Sequence, residues 1–134
     1  DIFEYAVSTG GRANPEYASA RRRNLKWAEK TCLGPALEKF DVLIAPTYGP
    51  AWKSDLILGD RLAGGKVSTP SALLGWPLVC VPMGLVDGMP VGLTIVGKAL
   101  DEARMLALGA EITKALGTRA QDGFRPAFKA ASRG

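Results

Sequence analysis

The chemistry open to this chain is bounded first by a residue it lacks: there is no histidine. Ser-His-Asp and Cys-His pairs need an imidazole that titrates near neutrality, so both are excluded. Nearly every catalytic zinc site goes with them, since two cysteines alone cannot complete a coordination shell. No metal and no cofactor is expected. Lys66 and Ser68 have the residue types of a Ser-Lys couple, but both are common in loops and so short a spacing carries little. Gly65-Lys66 is the one trace of a phosphate-binding loop, and it fails at both ends: Val67 follows where Ser or Thr is required, and Asp60 stands where the first glycine should be. The carboxylate pairs Asp101/Glu102 and Glu29/Glu38 fall in exposed helix or cap contexts, unlike the buried pair that acid–base chemistry needs.

Cys80 lies between Val79 and Val81, and Cys32 lies on a predicted helix. Apolar surroundings disfavour the reactive thiolate, so both read as inert, unpaired thiols suited to a reducing, cytoplasmic setting. The more informative side chains are aromatic. Tyr48 and Trp52 follow a predicted strand, where α/β folds place ligand-contacting loops, and Trp76 sits between a short helix and a hairpin. These three are the candidate substrate-binding residues, with plain packing as the competing role.

The elements that must position them can be read locally. Asn14 before Pro15 predicts a helix start, because the amide side chain caps and proline lacks an N–H that would go unpaired. Leu25, Ala28, Cys32 and Ala36 keep helical spacing to about residue 33, where Gly34-Pro35 should break or kink it before a short continuation to Phe40. Asp41 to Thr47 is an apolar, β-branched run that reads as a buried strand, followed by a loop from Tyr48 to about Val67. Ser68 to Leu74 predicts a short helix capped by Ser68 or Thr69 and stopped by Gly75. Leu78 to Leu85 and Pro90 to Gly97 read as two strands joined at Asp87-Gly88, a pair that tolerates the positive φ angles of a tight turn. Asp101 should cap a last helix carrying Met105, Leu108, Ile112 and Leu116 and ending at Gly117. The fold class is therefore α/β: helix, strand, loop, helix, β-hairpin, helix, with about three strands of a mixed sheet. So thin a sheet should leave an apolar edge open.

Composition agrees with one domain over residues 1–134, with an ordinary hydrophobic fraction of 47%. No apolar run nears the ~18 residues of a membrane span, so no membrane role is expected. The net charge of +4 is concentrated only at Arg21-Arg22-Arg23 with Lys26 and Lys30. No stacking aromatics or binding module accompany that run, which reads as a solvated helix face and not a nucleic-acid surface. The chain starts at Asp1 without Met, as though inside an element, so an upstream part of the same chain and any targeting segment are expected to be missing from view.

Four segments, in order, carry a resemblance. Asp41-Val42-Leu43-Ile44-Ala45-Pro46-Thr47 resembles the D-x-L-hydrophobic-x-P-T strand of the amidase signature family, the Ser-Ser-Lys amidases. Pro70 to Pro77 is similar to its P-x-x-x-x-G-x-P segment, Val81-Pro82-Met83-Gly84 to its V-P-x-G, and Gly88 to Gly97 to its strand containing P-V-G. Glu102 and Leu106 fall where the family's last helix carries acidic and leucine positions. The resemblance implies hydrolysis of carboxylic amides by a Ser nucleophile, a second Ser and a Lys base, a scheme that needs no imidazole. Those residues sit in a G-G-S-S-G-G-like stretch with the Lys before it, and this chain has neither: Gly10-Gly11 runs into Arg12 and Gly64-Gly65 into Lys66. No catalytic residue is therefore assigned. The chain is expected to be the C-terminal portion of an amidase domain, inactive alone, supplying scaffold and one wall of the acyl pocket through Tyr48, Trp52 and Trp76.

Expected partners are a small-molecule amide in the full-length protein, the N-terminal part of the same chain, and a second copy. The alternative is a non-catalytic binding or assembly module that oligomerises through the open sheet edge. Members that deliver ammonia from glutamine in tRNA-linked transamidation resemble a pattern with an Asp just before the T-x-P segment. Gly64 to Ser68 holds no acid. That disfavours the branch and leaves a general amidase, one acting on linear or cyclic ω-amino-acid amides.

Overall fold

The computed structural model describes residues 1–60 and 67–117. Its first helix, α1 (Ile2–Ser8), is opened by a capping box: the Asp1 carboxylate accepts from Phe3 and Glu4 N–H, and Glu4 reaches back to the Asp1 amine. None of its residues is buried, and it leads through a 3-10 turn (Gly11–Ala13) into α2 (Pro15–Trp27). As expected, Asn14 caps α2, accepting from Glu16 N–H at 2.8 Å.

The expected kink takes a specific form. Residues Ala28–Leu33 make a π-helical segment, and α3 (Gly34–Lys39) follows without a gap. The Gly34 N–H reaches the Glu29 carbonyl, and a Cβ on Gly34 would collide with that oxygen. Pro35, having no N–H, makes no demand on the widened turn. Sequence thus marks the place, and the glycine permits the wider ring.

Strands β1 (Leu43–Pro46), β2 (Leu78–Val86) and β3 (Met89–Val96) form one sheet in the order β1-β3-β2. The expected strand count holds, but both pairings are antiparallel where a mixed sheet was expected. The reason is placement: β1 and β2 run in the same direction, yet β3 lies between them. Asp87 and Gly88 both take positive φ, 51° and 77°, as the tight turn requires. A bulge at Met83 separates the pairs Pro82–Gly92 and Gly84–Val91. Among the described residues both β1 and β2 are edges of the sheet, and Ile44 on β1 is 61% exposed.

Helix α4 (Ser68–Leu74) ends at Gly75 in the left-handed region, as expected, but neither Ser68 nor Thr69 caps it. Both lie inside the first turn, and Val67 occupies the cap position. Helix α5 (Glu102–Leu116) has Asp101 at its cap, yet no capping hydrogen bond forms, and Asp101 instead lies 3.7 Å from Arg104.

Adjacent residues of β3 point to opposite faces, and the core divides accordingly. Ile95 joins Val81 and Met105 under α5, with Val79, Leu93, Leu108 and Ile112 around them. Val96 joins Leu33 and Leu37 from the π segment and α3, with Leu43, Leu74, Trp76 and Leu78 around them. Of the four α5 positions read as a stripe, Leu116 lies 45% exposed at the helix end. Burying Met105 fully stabilises the α5 side by roughly 1.5–3 kcal/mol.

Candidate functional site

The first candidate site is a groove of about 560 Å³ where the π segment and α3 meet the end of β3. Leu37, Pro35 and Trp76 form its apolar wall, and Glu29, Lys30, Glu38 and Lys98 surround it. Trp76 is placed there by the turn after α4: Gly75 takes a φ of 71°, and the Trp76 N–H donates to the Ser71 carbonyl at 3.1 Å. The indole then packs on the Leu33–Leu37–Val96 cluster. Glu29 and Lys30 form an exposed ion pair at 3.2 Å, so the groove offers an apolar wall with balanced charge, suited to a neutral ligand.

The other two aromatic candidates lie elsewhere. Trp52 lines a separate recess with Lys53, Ser54 and Asp55. Tyr48 is 40% exposed on the loop leaving β1. Helical and strand spacing cannot show such separation, because it depends on where a long loop runs. Asp55 organises part of that loop, accepting from the Ile57 and Leu58 N–H groups at 2.9 Å, and these bonds hold its carboxyl below the usual range. Glu29 and Glu38 do share the groove, while Asp101 and Glu102 stand apart from it. Lys66, Gly64 and Gly65 lie outside the described residues.

A second cluster was not anticipated. Thr94, 3% exposed in the middle of β3, donates to Thr47 Oγ1 at 2.8 Å, and Thr47 Oγ1 lies 3.0 Å from Cys80 Sγ. The backbone fixes it too, with Thr47 N–H donating to the Gly92 carbonyl at 2.8 Å. A Cβ on Gly92 would stand 2.8 Å from both Cys80 Sγ and Thr47 Oγ1, so glycine leaves the space the two side chains fill. Cys80 is exposed and not the core thiol expected. The cause is the sheet itself: Cys80 shares a face with Thr94 and Thr47, beyond the reach of the helices that cover Val96. Among the described residues these hydrogen bonds order the sheet face, and no Lys, Asp or Glu side chain joins them. Only the strand register brings these three residues together, although Thr47 and Thr94 sit in segments already marked by the resemblance and Cys80 directly precedes one.

No group of three or more His, Cys, Asp or Glu among the described residues could hold a metal, and no described helix is long and apolar enough to cross a membrane.

A hairpin and edge strand clamped between α5 on one face and a π-kinked helix pair on the other is the architecture of an amidase segment. The amidase family model matches residues 2–106, and the chain belongs to that family. It is 41% identical over 106 residues to a glutamyl-tRNA(Gln) amidotransferase subunit from Methanococcoides burtonii, covering 76% of this chain and 22% of that protein. The peptide amidase of Stenotrophomonas maltophilia superposes with a TM-score of 0.67 at 33% identity, covering 81% of this chain and 22% of its own. A peptide amidase in complex with the competitive inhibitor chymostatin superposes with a TM-score of 0.70, also at 33% identity, covering 85% of this chain and 23% of its own. The chain thus spans under a quarter of each of these relatives. Both an amidotransferase subunit and peptide amidases are thus among the relatives that this chain resembles.

Proposed function

We propose that the chain forms the C-terminal scaffold and one wall of the acyl pocket of an amide hydrolase, which turns a carboxylic amide into an acid plus an amine or ammonia. The Ser nucleophile, second Ser and Lys base come from a part of the protein outside these residues. The observation that carries the reading is the family match over residues 2–106 in a sequence that holds no Gly/Ser-rich catalytic stretch. Trp76, on the neutral groove, faces the substrate side, whereas Tyr48 and Trp52, apart from that groove, contact the substrate from another side. The site of action is the cytoplasm.

Two assays test this. The purified chain, given aryl and aliphatic amides, shows no turnover; turnover that persists through repeated purification overturns the assignment of the chemistry elsewhere. In the full-length protein, Trp76→Ala raises KM for amides by about tenfold, the loss of roughly 1.4 kcal/mol of apolar contact. An unchanged KM removes Trp76 from the wall.

A second reading is favoured by the two free edges of the sheet: a non-catalytic assembly module that pairs with another copy through β1 or β2. Light scattering after size exclusion decides it, since a monomer at high concentration excludes strand-paired dimers.

A further inference from the structure

Beside α2 lies a recess of about 390 Å³ lined by Arg12, Tyr17, Ala18, Arg21 and Arg22. Helical spacing explains most of it: Tyr17 and Arg21, and Ala18 and Arg22, are each four residues apart, so the two pairs share one face of α2. Arg12 enters from the 3-10 turn that precedes the helix. Ala18 is half-buried, and its methyl group leaves the space between the longer side chains open. Arg23 is turned away and donates to Ser19 Oγ at 2.9 Å.

Among the described residues, no carboxylate pairs with Arg12, Arg21 or Arg22. Three like charges around one concavity repel each other, and an anion there relieves the repulsion. The guanidinium fork matches the oxygens of carboxylate or phosphate in pairs. The number of donors decides between the two. A carboxylate offers two oxygens and a single charge, too few for three forks and a phenol. A phosphate group offers three or more oxygens and close to two charges, and the Tyr17 hydroxyl can supply a further hydrogen bond.

We propose that this recess binds a phosphate group, held by Arg12, Arg21 and Arg22 with Tyr17 as an additional donor. The site stands apart from the Trp76 groove and does not depend on amide hydrolysis.

The test is calorimetric titration of the full chain with inorganic phosphate at low ionic strength, with circular dichroism confirming that each variant is folded. Saturable binding at one site per chain is expected. Arg21→Gln and Arg22→Gln each weaken it by up to about fivefold, the scale of an exposed ion pair, and together they abolish it. Ala18→Leu fills the recess while keeping every charge, and it blocks binding. Arg23→Gln removes the same charge away from the recess and leaves binding unchanged. A short RNA oligonucleotide distinguishes the source: binding displaced by phosphate assigns the site to backbone phosphates, and phosphate binding without RNA binding assigns it to a free or small-molecule phosphate. Absence of saturable phosphate binding overturns the proposal. So does an Arg23→Gln variant as weak as Arg21→Gln, or an Ala18→Leu variant that still binds.

Discussion

Gly109 on α5 sits directly over Val79 on β2: a Cβ on the glycine would stand 2.8 Å from Val79 Cγ1. Two opposing effects meet there. A mid-helix glycine costs about 1 kcal/mol relative to alanine, whereas forcing an extra methyl into a packed seam costs about 1–3 kcal/mol. Gly109→Ala is therefore expected to lower the urea midpoint, and Val79→Ala in the same chain to restore part of the loss. A raised midpoint in the single variant means that the seam yields.

Ser71 gives the opposite sign. Its side chain is fully buried in α4, and its Oγ has no hydrogen-bond partner among the described residues. An orphaned hydroxyl costs about 1–3 kcal/mol, so Ser71→Ala leaves stability unchanged or raises it. A destabilised Ser71→Ala, measured by thermal denaturation, identifies a partner for the hydroxyl.

Arg104 ties α5 to the entry of β1, its Nη2 donating to Asp41 Oδ1 at 2.7 Å. That hydrogen bond, then the charge of Arg104, holds the Asp41 carboxyl below its ordinary value, and Asp41 raises Arg104 in return. A carboxyl lowered in the folded state stabilises above its unfolded pKa and loses that contribution as pH falls through the folded one. The chain should thus lose thermal stability below about pH 4 more steeply than Asp41→Asn does. Both groups are exposed, so the difference is small and vanishes in high salt. Parallel pH profiles at low salt would contradict the pairing.

The two thiols separate by accessibility. Cys80 is exposed and Cys32 is half-buried, so Ellman's reagent is expected to modify Cys80 first, with Cys80→Ser removing the fast phase. If the fast phase survives that substitution, the Thr47–Cys80–Thr94 face is covered in solution.

What the sequence disclosed was local chemistry. Asn14-Pro15, Asp87-Gly88, Gly75 and Gly117 each mark a backbone geometry that few other residues tolerate, and the structure places a cap, a turn and two helix ends there. Asp1 and Glu4 have the spacing of a capping box, yet the short α1 reads as the middle of an element. Ser68 and Asp101 have capping side chains but lack capping geometry, which depends on the angle at which the chain enters the helix. The candidate site is harder to read for a different reason. Trp76 meets the π segment only through the packing of α4 against it, and Thr47 meets Cys80 and Thr94 only through the strand register, and nothing within a short window encodes either. The direction of the sheet escapes in the same way, because a hairpin reveals its own two strands but not where a third one docks.

The place of β3 between its neighbours has a consequence for how the nascent chain matures. β1 must wait for residues Leu93 to Val96 of β3 before it gains a partner, whereas β2 pairs outward from the turn, beginning with Val86 and Met89. On the ribosome the sheet therefore has no beginning until β3 starts to emerge, and β1 stays with its backbone unpaired until Leu93 and the residues after it follow. Such distant pairing makes for slow closure and leaves the strands open to chaperones and to wrong partners. Translation that stalls between β1 and β3 would yield helices alone, with the sheet that supports both faces still to come.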